Sequence, residues 1–223
     1  MHILFVGKCC PSHTINTIIQ KTGKNPGIQI VKFSRLILEG FVHNNSKVNV
    51  LSNIITEQAI FSRHHKECFE NIQYTYLPTI QVPIVCQLFY ILSSFIYTIK
   101  WALKTKGDKI ILCDIFANSS SKGSVAAAKL LNIPTCMMLT DMIAPPVTIA
   151  KDTSKWWWNI FFKMRVRSQR NSIKQYDGFV FLTKYMNDKY NPLQKPYIVG
   201  SGDTYTTKKV KDSFWKKHIE VIK

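Results

Sequence analysis

The 223-residue chain is 46% hydrophobic and 19% charged, which supplies a packed core and excludes a disordered or low-complexity protein. Thirty Lys and Arg stand against 13 Asp and Glu, a net charge of +17. That excess does not choose a fold, but it selects polyanionic partners: nucleic acid, anionic lipid or phosphorylated ligands. The six cysteines show no C-x-x-C spacing and no neighbouring His at metal-ligand spacing. Free thiols in a reducing compartment are expected, with no disulfide framework and no zinc. The adjacent Cys9-Cys10 reads either as a pair of loop thiols or as a reactive pair.

His2 to Val6 is a short apolar run closed by Gly7, the pattern of a strand buried on both faces. It lacks the basic and long apolar regions of a signal peptide. The polar segment that follows, with Pro11, Gly23, Pro26 and Gly27, reads as a loop. Ile28, Val31, Phe33, Leu36, Ile37 and Phe41 then recur at helical spacing. Further strands are expected at Lys47 to Leu51, Asn71 to Pro78, Lys109 to Asp114, Pro134 to Leu139, Asp177 to Thr183 and Pro196 to Val199. The small-residue run Ser121 to Asn132 and the basic, aromatic run 154–175 predict helices between them. Strands alternating with helices specify parallel pairing through crossovers. The expected fold is therefore α/β: a doubly wound, Rossmann-like parallel sheet of about seven strands in one domain over residues 1–203. Residues 204–223, with six Lys, read as a basic tail or the start of a further domain.

Two segments carry a membrane signal. Asn71 to Ile99 contains no charged residue, and Val82 to Ile99 is long enough to span a bilayer. Pro83, Gln87, Ser93, Ser94 and Thr98 dilute the run, and a βαβ crossover needs a helix at this point. A buried crossover helix, a helix dipping into the bilayer and a true span remain open. In the second segment, Trp156 and Trp157 precede Lys163, Arg165 and Arg167, which suits an anionic membrane interface or a core face backed by solvated cations. No nucleic-acid reader motif interleaves these residues, so a nucleic-acid partner is not expected.

Catalytic triads, G-x-S-x-G, the P-loop and H-E-x-x-H are absent from the sequence. The first strand–helix loop has no G-x-G-x-x-G, so no tightly bound NAD or FAD is expected. Open parallel sheets bind ligands beyond the carboxyl ends of their strands. That rule selects Pro26-Gly27, Asp114, Thr140, Asp141 and Thr183. Gly27 would let an anion approach the backbone at a helix N-terminus. Asp141 reads as a base or a hydroxyl-orienting carboxylate, or else as a cap for the next loop, and Asp114 as a turn or capping carboxylate.

The ordered set, MHILFVG, a loop closing in Gly27, strands ending at Asp114 and Thr140-Asp141, then DGFVFLTKYMNDKYN…KPYIVGSGD, resembles the N-terminal domain of family-4-like glycosyltransferases. The resemblance covers about residues 1–203 and implies one half of a GT-B fold, the half that holds the acceptor. It implies acceptor contacts at Pro26, Gly27, Thr140, Asp141 and Thr183, with Asp141 the candidate catalytic residue. Three positions depart from the family pattern. Pro26-Gly27 stands for a double glycine, Thr140-Asp141 for His-Asp, and Gly200-Ser201-Gly202 for glutamate-glycine.

The family's donor half is not expected in the twenty residues after Asp203, which cannot build a second domain. A nucleotide-sugar donor is then expected only with a second domain or a partner subunit, as for a truncated or split enzyme. The acceptor would be a glycan or a lipid-linked sugar at the cytoplasmic face of a membrane, with the chain peripheral on it. The competing expectations are a non-enzymatic, degenerate domain that binds an anionic membrane or scaffolds a partner, and a small-molecule enzyme using Asp141 alone.

Overall fold

The computed structural model describes residues 1–22, 28–53, 65–77, 83–141, 143 and 156–199. Its strands are β1 (His2–Gly7), β2 (Lys47–Ser52), β3 (His65–Phe69), β4 (Ile72–Tyr76), β5 (Lys109–Asp114), β6 (Thr135–Leu139), β7 (Gly178–Phe181) and β8 (Tyr197–Val199). Its helices are α1 (Ser12–Thr22), α2 (Ile28–His43), α3 (Pro83–Lys104), α4 (Asn118–Leu130), α5 (Trp156–Ile173) and α6 (Lys184–Tyr190).

The strands form one sheet in the order β3-β4-β2-β1-β5-β6-β7-β8. Every pairing is parallel except β3 with β4. Winding starts at β1 and runs outward in both directions, so the order reverses between β1 and β5, the arrangement of a doubly wound fold. Apolar runs such as Ile3–Val6, Ile110–Cys113 and Cys136–Leu139 are buried throughout because both faces of the sheet are covered. The period-2 alternation divides them. Leu4, Val6, Ile111, Cys113, Met137 and Leu139 face a layer holding Tyr90 and Trp101 of α3, Val125 and Ala128 of α4, and Val166 and Ile173 of α5. Ile3, Phe5, Val48, Val50, Ile110 and Leu112 face the opposite side, with Ile37, Leu38 and Phe41 of α2.

Helices α2 and α4 stop in the same way. Asn45 and Asn132 take left-handed conformations (φ 58° and 52°), and the amides of Ser46 and Ile133 reach back to the carbonyls of Phe41 and Ala128. Asparagine serves where glycine is usual, and each stop turns the chain toward a strand.

Three features depart from the sequence expectation. The sheet has an eighth strand: β3 folds antiparallel onto β4 through Glu70-Asn71, both at positive φ, and its Lys66 and Glu67 suit a sheet edge. The segment after Pro11 is a helix, not a loop, because Ile15 and Ile18 of α1 pack with Cys10 and Val31 in a small separate cluster. Finally, α3 is the crossover between β4 and β5, but it is buried along one face only. Tyr90, Ser94, Thr98 and Trp101 are covered, whereas Leu88 (64%) and Leu92 (59%) stand in solvent. By length and composition α3 is also apolar enough to cross a membrane. Its inner face meets α4 closely. A Cβ on Gly123 would lie 2.1 Å from the Ile91 carbonyl oxygen, and Thr98 donates to Ser124 at 2.9 Å.

Candidate functional site

Sheet order directs attention to the carboxyl ends of β1, β2, β5 and β6. At the point where winding reverses, Gly7 lies directly on Asp114: a Cβ there would come within 2.7 Å of the Asp114 Cβ and of the Phe5 ring. Only glycine fits this approach. The loop beyond is held by Ser52, whose Oγ accepts from the Cys9 amide at 3.4 Å, while the Asn53 amide donates to the Gly7 carbonyl at 3.4 Å. Asp114 is fully buried, and Ser121 Oγ donates to its backbone carbonyl at 3.0 Å. Its carboxylate is therefore internal to the fold.

Cys9 and Cys10 are buried in this loop. Burial and the neighbouring Cys10 push the Cys9 thiol well up, and burial together with Glu67 raises Cys10 to about 12. Burial and raised thiol pKa values favour the packing reading of the pair over the reactive one. Cys113 and Cys136 are raised by burial to about 12 as well, and only Cys68 is exposed.

The carboxyl end of β6 is different. Thr140 Oγ1 is buried and has no hydrogen-bond partner among the described residues, while Asp141, the next residue, is exposed. Just beyond, the backbone of Ile143 is clamped by Tyr190 of α6, whose hydroxyl accepts from the Ile143 amide at 3.2 Å and also contacts its carbonyl at 3.4 Å. The strand end is thus fixed from α6, with a buried hydroxyl and an exposed carboxylate at successive positions. A buried hydroxyl with no partner costs about 1–3 kcal/mol, which a ligand hydroxyl recovers by bonding to it.

The remaining sequence-selected residues are distributed as follows. Thr183 caps α6, its Oγ1 accepting from the Met186 amide at 3.4 Å, and that bond engages the side chain structurally. Pro26 and Gly27 lie outside the described residues. Trp156, Trp157 and Arg165 lie on α5, with their side chains outside the description. Lys163, Arg167 and Arg170 are exposed at helical spacing on one side of α5, and Val166, Gln169 and Ile173 are buried on the other.

Two constellations escape sequence reasoning. Glu67 of β3 gathers Thr14 Oγ1 at 3.1 Å, His13 Nε2 at 3.3 Å and the Tyr76 hydroxyl. It depends on a strand and a helix that the sequence did not announce. The second is a groove of about 970 Å³ whose lining includes Lys47 of β2, Lys66 of β3 and Lys100 and Lys104 of α3, with no Asp or Glu. It lies beside α3 along the β2, β4 and β3 side of the sheet, from His2 and Lys47 at the starts of β1 and β2 to Lys66 and Thr75 near the end of β4. His2 at its rim is lowered by burial and by the nearby Lys47, N-terminal and Lys109 charges.

No protein-family model matches the chain, and no curated protein matches it. Solved structures similar to it include an alpha,alpha-trehalose 6-phosphate synthase from Burkholderia multivorans, at TM-score 0.47 and 9% identity over 86% of this chain. An alpha,alpha-trehalose-phosphate synthase (UDP-forming) from Burkholderia vietnamiensis gives 0.45 and 9% over the same share. The chain spans 42% of the length of each.

Proposed function

We propose that the chain is the acceptor-binding half of a glycosyltransferase of GT-B architecture, acting on a lipid-linked or polysaccharide acceptor at the cytoplasmic face of a membrane. The observation that carries this reading is the end of β6: a buried Thr140 hydroxyl without a partner among the described residues, beside an exposed Asp141. The order of motifs along the chain and the doubly wound sheet without a phosphate-binding loop support it.

In this reading Thr140 Oγ1 bonds one hydroxyl of the acceptor and Asp141 takes the proton of the hydroxyl that attacks. That oxygen forms the new bond to the anomeric carbon of the donor sugar, and the nucleoside diphosphate leaves with the electron pair of the broken bond. The donor is held by a second domain or a partner subunit, so the isolated chain binds acceptor but transfers little or no sugar. The test is transfer of radiolabelled sugar from nucleotide sugars to a membrane lipid fraction, with the chain alone and co-expressed with a candidate donor-half protein. Transfer is expected only in the second case and is lost on Asp141→Asn. Undiminished transfer by Asp141→Asn would refute the role of that carboxylate, and efficient transfer by the chain alone would refute the half-enzyme reading.

A second, non-enzymatic reading is a domain that anchors on an anionic surface or scaffolds a partner. One observation favours it: α3, α4 and α5 together contain no Asp or Glu.

A further inference from the structure

Helices α3, α4 and α5 cover the same face of the sheet, because their buried residues join one core cluster. Their outer side is therefore a single surface. Along α3 runs an apolar stripe: Val85, Leu88, Leu92 and Ile96 are exposed at spacings of three and four residues. Soluble surfaces seldom leave such a stripe uncovered. Cations flank it on both sides. On one side lies the lysine groove, whose wall includes Ile96 of the stripe itself together with Lys66, Lys100 and Lys104. On the other side, beyond α4, α5 presents Lys163, Arg167 and Arg170, all exposed. Neither the three helices nor the groove lining contributes a carboxylate.

We propose that this face docks on an anionic phospholipid bilayer, with Leu88, Leu92 and Ile96 entering the acyl boundary and the groove and α5 cations binding headgroup phosphates on either side. The arrangement is that of an interfacial amphipathic surface, apolar at the centre and cationic at its margins. A second copy of the chain is a poor occupant, since it would set cations against cations in a chain of net charge +17. The inference rests on the helix layer alone and holds with or without sugar transfer. Binding to lipid is read separately from that activity.

The test is co-sedimentation of the full chain with vesicles of phosphatidylglycerol and phosphatidylcholine in equal parts, and with phosphatidylcholine alone. Binding is expected to the first and not to the second, and inorganic phosphate at the same phosphate concentration should not displace it. Leu88→Ser with Leu92→Ser should weaken binding about tenfold or more at an unchanged melting temperature, because both side chains are already exposed. Lys100→Gln with Lys104→Gln, and separately Arg167→Gln with Arg170→Gln, should each weaken it about tenfold. A Leu92→Trp variant adds a measurement independent of the serine pair: vesicles with brominated acyl chains should quench its fluorescence more than that of the parent chain. The proposal is overturned if the serine pair binds like the parent, if the added tryptophan is not quenched, or if free phosphate displaces the protein. It is also overturned if the chain is a dimer that the serine pair dissociates while vesicle binding is absent.

Discussion

The strand ends that meet at Gly7 and the groove beside α3 are built to opposite specifications. At the carboxyl ends of β1, β2 and β5 the chain is closed tightly: Gly7 rests on Asp114, Ser52 holds the Cys9 amide, and Cys9, Cys10 and Cys113 are buried. At the end of β6 a buried Thr140 hydroxyl without a partner among the described residues is followed by an exposed Asp141. Beside α3, lysines from β2, β3 and α3 surround a groove with no carboxylate. In the functions proposed above, the first region takes a neutral, hydroxyl-bearing ligand and the second an anionic one.

The largest effect should come from disturbing the closed end. Gly7→Ala would push a methyl into the Asp114 Cβ and the Phe5 ring, and is expected to cost about 3 kcal/mol in chemical denaturation. An alanine variant of wild-type stability would mean that the two strand ends are not in contact.

The buried thiols supply the next effect, and its sign is fixed by linkage. Cys10, Cys113 and Cys136 are raised on folding from an ordinary 9.0 to about 12, so the unfolded chain loses its protons first. Their contribution is complete below pH 9 and is lost as pH rises from 9 toward 12. The denaturation midpoint should therefore fall across that window, and native thiol labelling at pH 8 should modify Cys68 alone among the six.

Thr140→Val sharpens the contrast by separating stability from binding. Removing a buried hydroxyl that bonds nothing among the described residues should leave stability unchanged or raise it by about 1 kcal/mol, while acceptor binding falls. Marked destabilisation would show that the hydroxyl serves the fold. The smallest effect is expected at the lysine groove. Lys66→Ala and Lys104→Ala are exposed and should shift stability by no more than about 0.5 kcal/mol, whatever they do to vesicle binding.

Legibility in the sequence followed the range of the forces involved. Strands such as β1, β5 and β6 announce themselves because both faces are buried and the apolar run is continuous. The strand β3 does not: two of the five residues in His-Lys-Glu-Cys-Phe are charged, and its turn uses Glu70 and Asn71 at positive φ where glycine would have signalled a hairpin. Helix α1 hides among Ser, Thr and Asn because its packing rests on Ile15 and Ile18 against α2. Thr140-Asp141 could be read as a strand end from local pattern alone, but the missing partner of Thr140 Oγ1 is a property of the folded environment. The groove was beyond reach, since Lys47, Lys66 and Lys100 are neighbours only through the topology. The outer stripe of α3 lay within one apolar run, and only the position of the sheet tells its two faces apart.

The proposed chemistry requires the acceptor at the end of β6 and not in the lysine groove. Backbone amide shifts of the isotope-labelled chain, titrated with a neutral oligosaccharide or a detergent-solubilised lipid-linked sugar, report this directly. Perturbations are predicted at Thr140, Asp141 and Ile143, with the amides of Lys47, Lys66 and Lys100 unmoved by the neutral sugar. Perturbations confined to the lysine groove, or none at Thr140 and Asp141, would contradict the acceptor-side reading.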